Sequence, residues 1–241
     1  MEVTWHPVPE PPQLGTRDGL AYALFLPDGP ASAGVLILHG ADSAKESHFE
    51  FARAARARGI AALAYDARGH GRSAGEFGPT AFGDALAMLD LLREHARAVA
   101  VRGSSMGGFE ALHVAALEPE VAAVVAICPA PEDVLLRLVR SGDEELEWRI
   151  DRQALEPWLS SLSVYEAVRR LSPDTDLLLM HAQGDAQVPW TVSEELHARA
   201  RSERKRLLVL PGGHHRSVQH DGELHGESLR FIERAVARRA S

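Results

Sequence analysis

Ser105 stands at the centre of Gly103-Ser104-Ser105-Met106-Gly107, a Gly-x-Ser-x-Gly pattern. A serine hydroxyl is a poor nucleophile at neutral pH. It needs a base within hydrogen-bond reach, and the base needs an acid to orient it. Two later stretches supply those residue types. Gln183-Gly184-Asp185-Ala186-Gln187-Val188-Pro189 offers Asp185, with Glu132 or Asp133 as the competing acid. Pro211-Gly212-Gly213-His214-His215-Arg216 offers a histidine. Adjacent side chains diverge, so only one of His214 and His215 can point into a site, and spacing alone leaves the choice open. A tetrahedral intermediate also needs backbone donors. The N–H of Met106, next after the serine, is one. The N–H of Ala41, in His39-Gly40-Ala41-Asp42, is the expected second.

The elements around these residues read as the frame that would position them. Ala98 to Val101 is a short apolar run before the serine, and Gly108 to Leu117 carries helical spacing after it. The order strand, Gly-x-Ser-x-Gly, helix puts Ser105 on a sharp turn at a helix N-terminus, where partial positive charge favours an oxyanion. Continuous apolar runs at Gly34–Leu38 and Val121–Cys128 suit strands covered on both faces, and Ile60–Tyr65, Leu177–Ala182 and Leu207–Leu210 read as further strands. Gly19–Leu26 reads as a further strand, and residues 7–12, rich in proline, as an extended edge. Helical patterns at Ser47–Arg58, Thr80–Arg93, Thr191–Arg201 and Glu223–Arg239 alternate with the strands. The alternation predicts an α/β fold of one domain, a mostly parallel sheet with helices on both faces. The acid and the histidine then fall at carboxyl ends of strands, where such sheets gather ligand groups.

One segment breaks the alternation. Residues 129–173 hold two helical stretches, Glu132–Val139 and Ser163–Arg170, around an acidic middle at Asp143-Glu144-Glu145. A long connection of this kind near the serine is a candidate cap or lid. Trp148, Trp158 and Leu159 are expected to line its substrate-binding wall.

These motifs together resemble the α/β-hydrolase superfamily of serine hydrolases. The resemblance runs from the strand before His39-Gly40 to the C-terminal helix. It rests on His39-Gly40-Ala41, Asp66-Ala67-Arg68-Gly69-His70-Gly71-Arg72-Ser73, the Ser105 pentapeptide with Gly108, and the late pair Gly184-Asp185 and Gly212-Gly213-His214-His215. The order Ser…Asp…His is that superfamily's. Its last motif, glycine and two residues before the base, implies His215 rather than His214. Met106-Gly107-Gly108 and the size are most similar to carboxylesterase, feruloyl-esterase-like and dienelactone-hydrolase-like members. Serine in place of cysteine separates the chain from dienelactone hydrolases proper. The absence of His-Gly-Gly-Gly separates it from the lipase and hormone-sensitive branches. The resemblance implies a Ser105-His215-Asp185 triad acting on esters through an acyl-enzyme.

Composition narrows the partners. The 241 residues carry a formal net charge of -8 with no basic stripe, which disfavours nucleic acid and anionic lipid. Neither a membrane-spanning run nor a signal-peptide pattern is read in the sequence. The single cysteine, Cys128, fits a reducing compartment. A cytoplasmic enzyme with a small-molecule ester substrate is the expectation. No cofactor is called for. His220 and His225 could join the histidine pair, but no ligand spacing supports a metal site.

Overall fold

The computed structural model describes residues 10–141 and 148–239. Asp143, Glu144 and Glu145, the acidic middle of the insertion, lie outside the described residues. Eight strands form one sheet: β1 Gln13–Arg17, β2 Leu20–Phe25, β3 Ala33–Leu38, β4 Ile60–Tyr65, β5 Val99–Ser104, β6 Ala123–Ile127, β7 Asp176–Ala182 and β8 Lys205–Leu210. Their spatial order is β1-β2-β4-β3-β5-β6-β7-β8. The β1–β2 and β2–β4 pairs are antiparallel and every later pair is parallel.

The helices are α1 Phe49–Ala57, α2 Ala81–Arg93, α3 Met106–Leu117, α4 Glu132–Ser141, α5 Arg152–Ser160, α6 Val164–Arg170, α7 Thr191–Arg199, α8 Ser217–His220 and α9 Gly222–Arg239. A 3-10 turn at Lys45–His48 leads into α1. The strand alternation sorts side chains onto two apolar layers. Leu36, Leu38, Val99 and Val101 pack with Met88, Leu92 and Leu112 of α2 and α3. Val35, Ile37 and Ala100 pack with Phe51 of α1 and Phe231 and Ile232 of α9. Strands β3 to β7 are therefore buried throughout, while the edge strands β1 and β8 are only partly covered.

Strand order reverses at β3. The chain steps from β3 out to β4, then crosses back to lay β5 on the other side of β3. The carboxyl ends of β3 and β5 flank that reversal, which is where open α/β sheets hold ligands. Gly40 follows β3 and Ser105 follows β5. Three helices, α4 to α6, occupy the connection from β6 to β7. The middle one, α5, departs from the two-helix expectation. It is capped by Asp151, whose side chain accepts from the Gln153 N–H at 2.8 Å, and it tolerates Pro157 within it. Among the described residues no helix is long and apolar enough to cross a membrane.

Candidate active site

Ser105 has φ 54° and ψ -118°, a conformation that L side chains rarely adopt. Hydrogen bonds at both ends hold it there. Its N–H donates to the Ile127 carbonyl at 2.9 Å, and its carbonyl accepts from Phe109 at 3.0 Å and Ala130 at 3.1 Å. The turn leaves no room beside it. A side chain at Gly103 would run into the Gly107 carbonyl, and one at Gly107 into the carbonyls of Leu38 and His39. The two glycines are thus a condition of the turn.

Asp185 and His215 come from adjacent loops that are tied together. The Gln183 N–H donates to the Leu210 carbonyl at 2.8 Å and the Gly184 N–H to the Gly212 carbonyl at 2.9 Å. His215 Nδ1 lies 2.7 Å from Asp185 Oδ2. A carboxylate only accepts, so Nδ1 carries the proton and Nε2 keeps its lone pair. His214 does not share this position. It is exposed, and its ring accepts from the Arg216 N–H at 3.3 Å.

Asp185 collects further donors. Oδ1 accepts from the N–H groups of Gln187 at 2.9 Å and Val188 at 3.0 Å. His181 Nε2 lies 3.3 Å from Oδ2 and 3.0 Å from the Val188 carbonyl. Both neighbours are acceptors, so Nε2 is the protonated nitrogen of His181. Its Nδ1 faces the Ser193 hydroxyl at 2.7 Å. Burial alone would raise the Asp185 pKa, but the bonds from His181, His215 and Val188 outweigh it and hold the carboxyl well below the usual range. His181 was hidden in the sequence as one more residue of an apolar strand. The competing acids are engaged elsewhere. Glu132 accepts from the Val164 N–H at 3.0 Å, and Asp133 pairs with Arg137 on the exposed face of α4.

The expected oxyanion donors, Ala41 and Met106, follow β3 and β5. Ala41 borders the same cavity as Ser105. Met106 opens α3, where the first N–H groups have no acceptor inside the helix. His39 fastens the loop: Nδ1 donates to the Gly40 carbonyl at 2.7 Å and Nε2 accepts from the Ala67 N–H at 2.9 Å. Burial lowers the His39 pKa, which keeps this ring neutral. Asp66, fully buried, ties the next stretch. It pairs with Lys45 Nζ at 2.7 Å and accepts from the N–H groups of Lys45 and Arg72. The long motif from Asp66 to Ser73 thus braces the oxyanion loop. Beneath the elbow, the Ser104 hydroxyl donates to Gln219 Oε1 at 2.6 Å, and Arg102 donates to the Gln219 carbonyl at 3.3 Å. That clamp links β5 to α8, just past His215.

Ser105, Ala41 and His215 open onto one cavity of about 460 Å³. Its apolar wall is α4, through Val134, Leu135 and Leu138. Here the sequence expectation is corrected. Trp148, Trp158 and Leu159 do not line the cavity. Trp148 stacks near Phe77 and His70, Trp158 lies 5.1 Å from Phe82, and Leu159 is fully buried. α5 packs on α4, and its Trp158 turns to Phe82 of α2 and Phe109 of α3, so that ring seats the cap and leaves the wall to α4.

Among the described residues one cluster has metal-ligating types close together, Cys128, His181 and Asp185. Its chemistry suits the acid better than an ion. Both ring nitrogens of His181 are engaged, and burial pushes the Cys128 thiol up to about 12. His220 and His225 turn instead to Gln219, at 2.7 Å each.

A doubly wound sheet with a strained serine at the end of β5, bordering the same cavity as a histidine paired with an aspartate, is the architecture of an α/β hydrolase. Solved structures agree on the fold. Est1E from Butyrivibrio proteoclasticus, with ferulic acid bound, superimposes with a TM-score of 0.71 at 20% identity, over 95% of this chain and 100% of that one. GrgF from Penicillium sp. sh18 gives 0.76 at 20% identity, over 90% and 94%. A soluble variant of monoglyceride lipase from Saccharomyces cerevisiae gives 0.73 at 16%, over 97% and 95%. The chain belongs to the family described as serine aminopeptidase, S33 (Hydrolase_4), which matches residues 29–150. Two curated relatives are each 33% identical to part of the chain. The 2,6-dihydropseudooxynicotine hydrolase of Paenarthrobacter nicotinovorans aligns over 120 residues, 45% of this chain and 32% of its own length. Thiohydrolase apmlB of Arthrinium phaeospermum aligns over 130 residues, 49% and 42%. The chain thus spans less than half the length of the curated relatives it matches.

Proposed function

We propose that the protein cleaves carboxylic esters of small to medium acyl chains through an acyl-enzyme on Ser105. The observation that carries this reading is the 2.7 Å contact between His215 Nδ1 and Asp185 Oδ2 beside the cavity that Ser105 enters. Ser105 Oγ attacks the ester carbonyl carbon, and its proton passes to His215 Nε2. Asp185 holds the ring and stabilises the imidazolium. The N–H groups of Ala41 and Met106 take the oxyanion. The carbon–oxygen bond to the alcohol breaks, and His215 returns the proton to the leaving alcohol. Water, deprotonated by His215, then releases the acid and restores Ser105. A cavity of about 460 Å³ closed on one side by α4 suits short and medium acyl groups. The substrate is a small molecule and no cofactor takes part.

The family's description favours a second reading, an aminopeptidase. Such an enzyme must hold a free ammonium. The cavity offers it Asp42, but also two cations, Arg137 and Arg216. That balance supports the ester reading. Name and chemistry together add a third substrate to the panel, since one relative is a thiohydrolase and an acyl-enzyme accepts a thiol leaving group.

The test is a panel of p-nitrophenyl esters from acetate to laurate, a matched thioester, and aminoacyl p-nitroanilides. Esters up to medium length should turn over, with activity falling toward laurate and abolished by Ser105→Ala. Turnover of the anilides above the esters would replace this reading with the peptidase one.

A further inference from the structure

Two arginines border the cavity from separate elements. Arg137 sits on α4 between the wall residues Val134 and Leu138, and Arg216 directly follows His215. The chain as a whole carries a net charge of -8, so positive charge here is local. The counterion of Arg137 is Asp133, one turn earlier on the same helix at 2.6 Å, with the two side chains 65% and 64% exposed. Exposed pairs of this kind contribute little and exchange readily for another anion. Among the described residues no carboxylate pairs with the Arg216 guanidinium. Asp42, on the oxyanion loop, is the carboxylate that borders the cavity, and it has an interaction of its own. The cavity therefore combines the serine site, an apolar stretch along α4, and two forked donors suited to a carboxylate.

We propose that the substrate is an ester whose acyl chain ends in a carboxylate, and that Arg137 and Arg216 bind that carboxylate while Val134 and Leu138 cover the methylenes between. This rests on the ester-hydrolase reading above. It is a contact made equally in the ground state and the transition state, so it acts through KM.

The experiment compares p-nitrophenyl monoesters of adipic, suberic and sebacic acid with the same compounds methylated at the far carboxyl. The readout is the carboxylate-to-neutral ratio of kcat/KM within each protein, so a loss of folded enzyme cancels. Wild-type protein should favour one of the carboxylate probes by about tenfold. In Arg137→Gln/Arg216→Gln the ratio should fall to about one through KM, and 0.5 M salt should shrink it in wild type. A wild-type ratio of one or below, or a ratio that survives the double substitution, overturns the proposal. Turnover of the methylated probes with no preference defeats this inference and leaves the ester reading standing. If no probe turns over, the ester reading fails. Calorimetric titration with suberic acid monoamide then decides the anion contact alone: binding lost in the double variant supports it, and equal or absent binding in both proteins overturns it.

Discussion

Asp185 takes hydrogen bonds from two histidines and two backbone amides, and that crowding defines its work. A carboxylate so satisfied stays ionised, fixes the His215 tautomer and resists rotation. Asp185→Asn should lower kcat on the order of ten-thousandfold, as loss of an orienting acid does. A fall within about tenfold would move the role elsewhere. His181 acts through Asp185. Removing its N–H with His181→Leu costs one hydrogen bond to a charged group, and kcat should fall about ten- to a hundredfold. The carboxylate left with fewer donors holds the imidazolium more tightly, so the acid limb of the kcat/KM profile should move to higher pH. A merely structural role for His181 would leave that limb in place. The sharp turn at Ser105 and the strand-end position of Asp185 were legible because glycines and strand ends announce them. His181 was not, because an apolar strand reads the same whether a buried histidine fills space or donates to a neighbour.

At the scale of elements, the parallel strands were legible as unbroken apolar runs, since burial on both faces demands them. β1 was not. Gln-Leu-Gly-Thr-Arg has no apolar alternation, and only its pairing with β2 through the Asp18-Gly19 turn makes it a strand. α5 escaped because Pro157 and a mostly polar run disfavour a helix locally, whereas the Asp151 cap and packing on α4 sustain it. The same packing explains why the tryptophans were misplaced. Sequence identifies an apolar helix face, but neighbours decide what it faces. The wall assignment has a contrasting pair of consequences. Leu138→Trp fills the cavity and should shift chain-length preference toward shorter esters with little change in Tm. Trp158→Ala should lower stability by about 2–3 kcal/mol and leave the chain-length profile alone. Steady-state kinetics across the ester panel, alongside thermal melts, checks both, and the reverse pattern would return the wall to α5.

The whole molecule stores one ionisation against its own stability. Glu110 lies fully buried in α3, and Oε2 has no partner among the described residues. Burial, with Asp84 adding to it, raises its pKa from 4.5 to about 8. The folded chain therefore keeps this proton up to about pH 8, while the unfolded chain gives it up near 4.5. Between those values the unfolded state binds fewer protons, so stability falls as pH rises. Glu110→Gln keeps the shape and removes the titration. Its stability relative to wild type should rise steadily from pH 5 to pH 8, by on the order of a few kcal/mol, and level off above. Denaturant melts at pH 5, 6.5 and 8 read this, and a difference that does not change with pH would contradict it.

The claim on which the functional account stands is that Ser105, activated by His215, is the nucleophile. A fluorophosphonate probe forms a stable adduct only with an activated serine, and mass spectrometry of the digested protein locates it. The adduct should sit on Ser105, disappear in Ser105→Ala and in His215→Ala, and persist in His214→Ala. An adduct on Ser104 or on any other serine, or labelling lost in His214→Ala and kept in His215→Ala, would contradict the account.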